Sequence, residues 1–218
     1  MDHLNIVNDL HQTGNFMREK ELVWGTAGNI SARIDDSHFY VSASGTVLGS
    51  MGLEDFSLCS KDGDVIGKKP SKEYIMHQGI YDQREDIGAI LHASPFYSTM
   101  IACSDIELPS NYFVEAMYYL ERIERIPYFH PGSRELAEAV EERAGSTNII
   151  LLENHGVIVY DKNLKEARMA LQTLEYTAKM HVTAKGSSVN LKQLSNQTEK
   201  DFLQNSGYKP KRNWNKIE

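Results

Sequence analysis

Cysteine is nearly missing from this chain, with only Cys59 and Cys103 among 218 residues. Two thiols cannot build a disulfide framework, so a disulfide-stapled scaffold is excluded and a reducing cytoplasm is the expected setting. Both are read as small buried apolar residues. Long apolar runs are lacking too: none approaches the roughly 18 residues of a membrane span. The start, Met1-Asp2-His3-Leu4-Asn5, has neither the basic residues nor the apolar stretch of a signal peptide. Positive charge is in short supply. With 23 Lys and Arg against 30 Asp and Glu, the net charge of −7 argues against nucleic acid as the main partner.

What is present fits an ordinary globular chain, with 41% hydrophobic and 24% charged residues and enough length for one domain with a sizeable core. Charge is distributed unevenly. Residues 185–218 hold seven Lys/Arg against three Asp/Glu, a balance of +4 that leaves −11 on the rest. Residues 1–185 therefore read as one domain and 186–218 as a basic polar tail. Its composition favours disorder; the alternative is a tail that folds over an anion-binding active site.

Apolar spacing at Leu4, Val7, Leu10 and Phe16 predicts a helix over 2–20. Strands are expected at 29–34 and 39–42 around the turn Asp35-Asp36-Ser37, and at 56–59 and 64–66 around Asp62-Gly63. Ser71 reads as the N-cap of a helix carrying Tyr74, His77, Ile80 and Tyr81 on one face. A strand at 89–92 precedes a helix opening at Pro95, and residues 111–121 read as helical. A strand is expected at 125–129 and a helix from Ser133 to Arg143. Paired strands at 148–152 and 156–160 precede a long helix from Leu164 to about Lys185. This pattern makes an α/β domain whose sheet is mainly antiparallel.

Chemistry concentrates at Glu73, His92 and His155, each at the end of a regular element. Two imidazoles and a carboxylate can hold a divalent metal and leave a coordination position open, as a catalytic ion requires. His92 and Ser94 flank Ala93, so in an extended segment both face one side, and His-x-Ser is half of a His-x-His pair. Glu73 and His77 stand one helical turn apart. Ser71 and Lys72 at the expected helix start offer a hydroxyl, an ammonium and backbone N–H groups to a phosphate. Gly28-Asn29 and Ser44-Gly45 are candidate donors to the same anion. The glycines are not a dinucleotide fingerprint, because a strand follows them rather than a helix.

In order and spacing, Gly28-Asn29-Ile30-Ser31, Ser44-Gly45, Pro70-Ser71-Lys72-Glu73, Asp86–His92 and Glu153-Asn154-His155-Gly156 resemble the class II aldolase/adducin family. The nearest branch resembles L-fuculose-phosphate aldolase, with L-ribulose-5-phosphate 4-epimerase close behind. The resemblance implies a three-layer α/β/α sandwich around a mainly antiparallel sheet, assembled as a homotetramer with sites between subunits. It implies a metal-dependent lyase that cleaves a C–C bond of a phosphorylated sugar through an enediolate. Decarboxylation of a 3-keto sugar-acid phosphate and pentose-phosphate 4-epimerisation use the same step, and a non-catalytic adducin-like binding domain is the rival of another class. By resemblance His92, His155 and Glu73 hold the ion (Zn²⁺, with Mn²⁺ or Co²⁺ as alternatives), and Glu73 is also the acid/base. Gly28, Asn29, Ser44, Gly45, Ser71 and Lys72 fall at the phosphate, and Tyr208 matches a C-terminal catalytic tyrosine. Two positions depart from the family: Ser94 replaces the third histidine, and Phe113, beside Tyr112, stands near a tyrosine that protonates the nascent product.

Overall fold

The computed structural model describes residues 3–214. Its elements, in chain order, are α1 (His3–Glu19), β1 (Asn29–Arg33), β2 (His38–Ser42), β3 (Phe56–Ser60), β4 (Val65–Ile66) and α2 (Tyr74–Gln83). They continue with β5 (Ala89–Ala93), α3 (Phe96–Ala102), α4 (Val114–Tyr119), β6 (Glu124–Ile126) and α5 (Arg134–Ala144). β7 (Ile149–Leu152), β8 (Gly156–Asp161), α6 (Leu164–Lys185) and α7 (Asn196–Asn205) complete the chain. One eight-stranded sheet runs in the order β4-β3-β2-β1-β5-β8-β7-β6. Its pairings are antiparallel except β6 with β7.

Alternation along the strands builds two cores. Ile30, Ala32, Leu91, Val157 and Val159 face the layer of α1, α3, α4 and α6. Val41, Ile90, Ile150, Ile158 and Tyr160 face the other way, against Met76 and Ile80 of α2 and Leu136 and Val140 of α5. Side chains of period two, covered on both faces, give the expected α/β/α sandwich. β1 breaks the apolar rule on the α2 side only: Asn29 and Ser31 alternate with Ile30 and Ala32 and are buried. Polar groups buried there need partners, and those partners belong to the site.

Local chemistry sets most boundaries. Asp35 Oδ1 accepts from the backbone of Ser37 and His38, closing the first hairpin. Ser133 and Asn163 cap α5 and α6 through the backbone of Leu136 and Glu166. Ser71 does not cap α2. The helix opens three residues later at Tyr74 with Glu73 in the capping position, because Ser71 instead closes a tight turn that accepts Tyr74 N–H at its carbonyl. The segment expected as strand 125–129 is the short parallel strand β6, and 111–121 narrows to α4. Cys59 is buried as expected, which pushes its thiol up to about 11, whereas Cys103 is exposed.

The tail departs most from expectation. Its described part, up to Trp214, packs on the body, and α7 is capped by Ser195 at Thr198 N–H; residues 215–218 lie outside the described residues. Lys209 bonds Glu166 and the Tyr119 hydroxyl, and Arg212 donates to Asp161 Oδ2 at 2.8 Å with both side chains buried. Trp214 lies under the guanidinium groups of Arg84, Arg122 and Arg212. Asp161 pairs with Ala89, at the opposite end of the β5–β8 pair from His92, so the tail does not cover the site of its own chain. Composition misjudged it because its basic residues meet specific carboxylates and tyrosines on the acidic body. Removing one member of a buried ion pair strands the other, so Arg212→Ala should cost on the order of 3 kcal/mol in chemical denaturation. It should also open the partly buried Phe202 to chymotrypsin; parental stability and protection would show that this pair does not hold the tail.

Candidate metal centre

Three elements deliver the cluster. β5 carries His92 one residue before its end, the β7–β8 turn carries His155, and Glu73 heads α2. Glu73 Oε2 is 3.3 Å from His92 Nε2, and Glu73 Oε1 is 3.3 Å from His155 Nε2. The two imidazole rings meet edge to face at 4.8 Å. One ligating atom from each residue lies within 4.8 Å of the others, so the predicted triad is assembled.

Close backbone approach makes this geometry possible. A Cβ on Gly156 would stand 2.5 Å from the Ala93 carbonyl and 2.9 Å from Ser94 Oγ. Only a glycine lets β8 begin so close to the end of β5, and that proximity brings His155 beside His92. Gly28, with φ +92°, would place a Cβ 2.7 Å from the His92 carbonyl, so β1 presses on β5 from the other side. Asn154 holds the turn before His155 in the left-handed region at φ 54°, a conformation that asparagine adopts more readily than most residues.

The donors are arranged for a cation. His92 Nδ1 donates to the Val157 carbonyl at 3.0 Å, which leaves the Nε2 lone pair facing Glu73. Burial lowers the His155 pKa, with the neighbouring His92 adding to the effect and Glu73 opposing it, so its imidazole is held neutral. Glu73 Oε1 and His155 Nδ1 are buried without a hydrogen-bond partner among the described residues. A carboxylate and two imidazoles converging on one point suit a divalent ion well.

A cavity of about 360 Å³ opens onto the triad. Gly28, Asn29, Ser44, Gly45, Ser71, Lys72 and Ser94 all line it, so every predicted site residue except Tyr208 is brought together. Thr26, Thr46 and the exposed Trp24 join them; turn-like sequence around these residues gave no signal for them. The anion side differs from expectation. The backbone N–H groups of Ser44 and Ser71 are spent on the carbonyls of Lys69 and Ser42, leaving hydroxyls and the exposed Lys72 ammonium. Lys72 forms no ion pair among the described residues. Asn29 has its amide between Glu73 and His77.

Ser94 Oγ donates to the His155 carbonyl at 3.3 Å, and so braces the turn carrying a ligand. Tyr208 packs between Tyr118 and Phe202, away from the cavity of its own chain. Tyr112 bonds His181 Nδ1 on α6, and Phe113 packs on Tyr176, so neither supplies a hydroxyl to the triad of this chain. Two buried residues behind the triad, Ser31 and Tyr81, were not foreseen. The polar alternation of Asn29 and Ser31 in an otherwise apolar strand was the available signal.

Residues 8–182 match the family described as Class II Aldolase and Adducin N-terminal domain. The chain is 35% identical over 202 residues to the 3-oxo-tetronate 4-phosphate decarboxylase of Haemophilus influenzae, covering 90% of this chain and 94% of that protein. It is 34% identical over 164 residues to the L-fuculose phosphate aldolase of Methanocaldococcus jannaschii, covering 74% and 87%. Among solved structures, an L-fuculose 1-phosphate aldolase superposes with a TM-score of 0.82 at 27% identity, covering 93% of this chain and 96% of that one. Sequence, fold and triad together make this chain a member of the class II aldolase and adducin family, whose relatives here are enzymes.

Proposed function

We propose that the chain is a metal-dependent lyase that decarboxylates a phosphorylated 3-keto sugar acid. The observation that carries the reading is the Glu73–His92–His155 cluster opening onto the same cavity as Ser44, Ser71 and Lys72. Two imidazole nitrogens and one carboxylate oxygen form the donor set of many catalytic zinc sites, so Zn²⁺ is the proposed ion, with Mn²⁺ and Co²⁺ as substitutes. When bound, the ion supplies Lewis-acid stabilisation of the negative charge that builds on substrate oxygens.

The protein side chains do the rest. The Ser44 and Ser71 hydroxyls and the Lys72 ammonium anchor the phosphate, which fixes the reacting carbons relative to Glu73. When the C–C bond breaks, its electron pair stays on the carbon that loses CO₂, and Glu73 exchanges the proton at that carbon. Loss of CO₂ needs no second acid. A retro-aldol step must also take the proton from the hydroxyl that becomes the aldehyde carbonyl, and Tyr112 and Phe113 bring no free phenol to this triad to relay it. The similarity to the Haemophilus influenzae decarboxylase along nearly the whole chain supports the same choice. Aldol cleavage of a phosphorylated ketose is the second reading, supported by the aldolase relatives. We place the enzyme in the cytoplasm as a homotetramer, a reading supported by exposed Phe96, Tyr128 and Tyr176, which offer apolar surface to a second copy. No helix among the described residues is long and apolar enough to cross a membrane.

Protein purified without chelator or added metal should carry near one divalent ion per chain by mass spectrometry. His92→Ala should lower that content at least about tenfold, since two remaining ligands hold the ion poorly; unchanged content would remove the site. A 3-keto tetronate 4-phosphate should release CO₂ faster than L-fuculose 1-phosphate releases aldehyde; the reverse order would establish the aldolase reading. No metal and no turnover would point to a binding domain. Glu73→Gln should leave phosphate-anchored substrate binding within a few-fold but slow solvent exchange at the α-carbon by roughly 10²–10⁴. Exchange at the parental rate would exclude Glu73 as the base.

A further inference from the structure

Behind Glu73, four side chains form a single file of hydrogen bonds. Asn29 Nδ2 donates to Glu73 Oε2 at 2.8 Å, and His77 Nε2 meets Asn29 Oδ1 at 2.6 Å. Ser31 Oγ meets His77 Nδ1 at 2.7 Å, and the Tyr81 hydroxyl meets Ser31 Oγ at 2.8 Å. Asn29 is 4% exposed, Ser31 and His77 are 0% exposed and Tyr81 is 1% exposed, so the links beyond Asn29 are closed to water.

One boundary condition fixes every proton in the file. Glu73 Oε2 accepts from the Asn29 amide, which therefore turns its NH₂ to Glu73 and its oxygen to His77. That oxygen only accepts, so His77 carries its hydrogen on Nε2. The neutral ring must then accept at Nδ1 from Ser31, whose oxygen accepts from Tyr81. Burial keeps the ring neutral, pushing the His77 pKa down to about 3, with His92 adding to the shift. The far end is fixed as well: the Arg33 guanidinium lies 4.7 Å over the Tyr81 ring and donates to the Tyr81 carbonyl.

We propose that this file orients the metal-site carboxylate, pinning Oε2 of Glu73 and leaving Oε1 as the oxygen offered to ion and substrate. Oε1 is the atom 3.3 Å from His155 Nε2 and without a hydrogen bond among the described residues. His77, Ser31 and Tyr81 do not line the cavity, and they act through Asn29 as positioning residues. Because donors aligned head to tail polarise one another, the file holds Glu73 more firmly than the Asn29 amide alone would. This inference rests on the metal-site reading of Glu73, His92 and His155.

The test is a Co²⁺ titration of the metal-free protein, followed by visible absorption, which reports both affinity and ligand geometry. Three proteins are compared: the parent, His77→Leu and His77→Gln. Leucine fills a similar volume and breaks the file, whereas a glutamine amide donates to Asn29 and accepts from Ser31. His77→Leu should weaken Co²⁺ binding by about tenfold or more and shift the spectrum, and His77→Gln should restore both to within about threefold. A folded His77→Leu protein with parental affinity and spectrum overturns the proposal, and so does His77→Gln if it binds as weakly as His77→Leu. If His77→Leu does not fold, Ser31→Ala decides: about threefold weaker binding supports the file, and parental binding overturns it. A parent that takes up no Co²⁺ overturns the metal-site reading itself, an outcome distinct from equal binding by all variants.

Discussion

A carboxylate taken out of water at the end of a sheet is the constraint around which this molecule is arranged. Glu73 is 8% exposed and faces two imidazole nitrogens at 3.3 Å each. Removing such a group from water costs several kcal/mol unless charge and hydrogen bonds replace the lost hydration. The Asn29 amide replaces part of it on Oε2. The other oxygen has no hydrogen bond among the described residues, and the His155 imidazole is a poor cation because burial and the neighbouring His92 disfavour its protonation. A divalent ion fits the remaining deficit, since it meets the anion and both nitrogen lone pairs at once.

The architecture follows from where that deficit can sit. Placing Glu73 at the head of α2 puts the carboxylate over the face of β1 and β5 that α2 covers, so the strand residues beneath it must be polar or ligating. Asn29, Ser31 and His92 occupy those positions, while Ile30, Ala32 and Leu91 on the opposite face complete an apolar core under α6 and α1. Register makes Asn29 the direct partner of His92. A one-residue slip of β1 would therefore move the amide to the wrong face and put Ile30 against the carboxylate. Fold and site specify each other through this pairing.

Legibility in the sequence followed the range of the forces involved. Hairpin turns, the start of α5 and the long helix were readable because the deciding contacts lie within three or four residues, as at Asp35 and Ser133. The triad was readable from residue type and from family resemblance. Ser71 misled because a serine closing a turn and a serine capping a helix have the same local sequence. The parallel pairing of β6 with β7 depends on distant strand order, which local periodicity does not carry. The tail was misread for a similar reason: Arg212 finds Asp161, and Lys209 finds Glu166, across more than forty residues of chain.

Decarboxylases and aldolases can share this frame because the frame serves only their common requirement, the negative charge left on substrate when a C–C bond breaks. Nothing in a carboxylate–bis-imidazole cluster distinguishes CO₂ from an aldehyde as the departing fragment. The distinction lies in what meets that fragment. An aldehyde departs only when its precursor hydroxyl gives up a proton, and Tyr112, the phenol beside Phe113, is committed to His181 on α6. CO₂ departs with no such demand. A chain that keeps the triad and the cavity hydroxyls but commits Tyr112 elsewhere lacks nothing that the proposed decarboxylation would use, and the proposal gives Ser94 the same logic. Ser94 braces the His155 turn, and under the proposed reading a coordination position left open there would suit a keto acid that brings its own carboxylate and carbonyl oxygens.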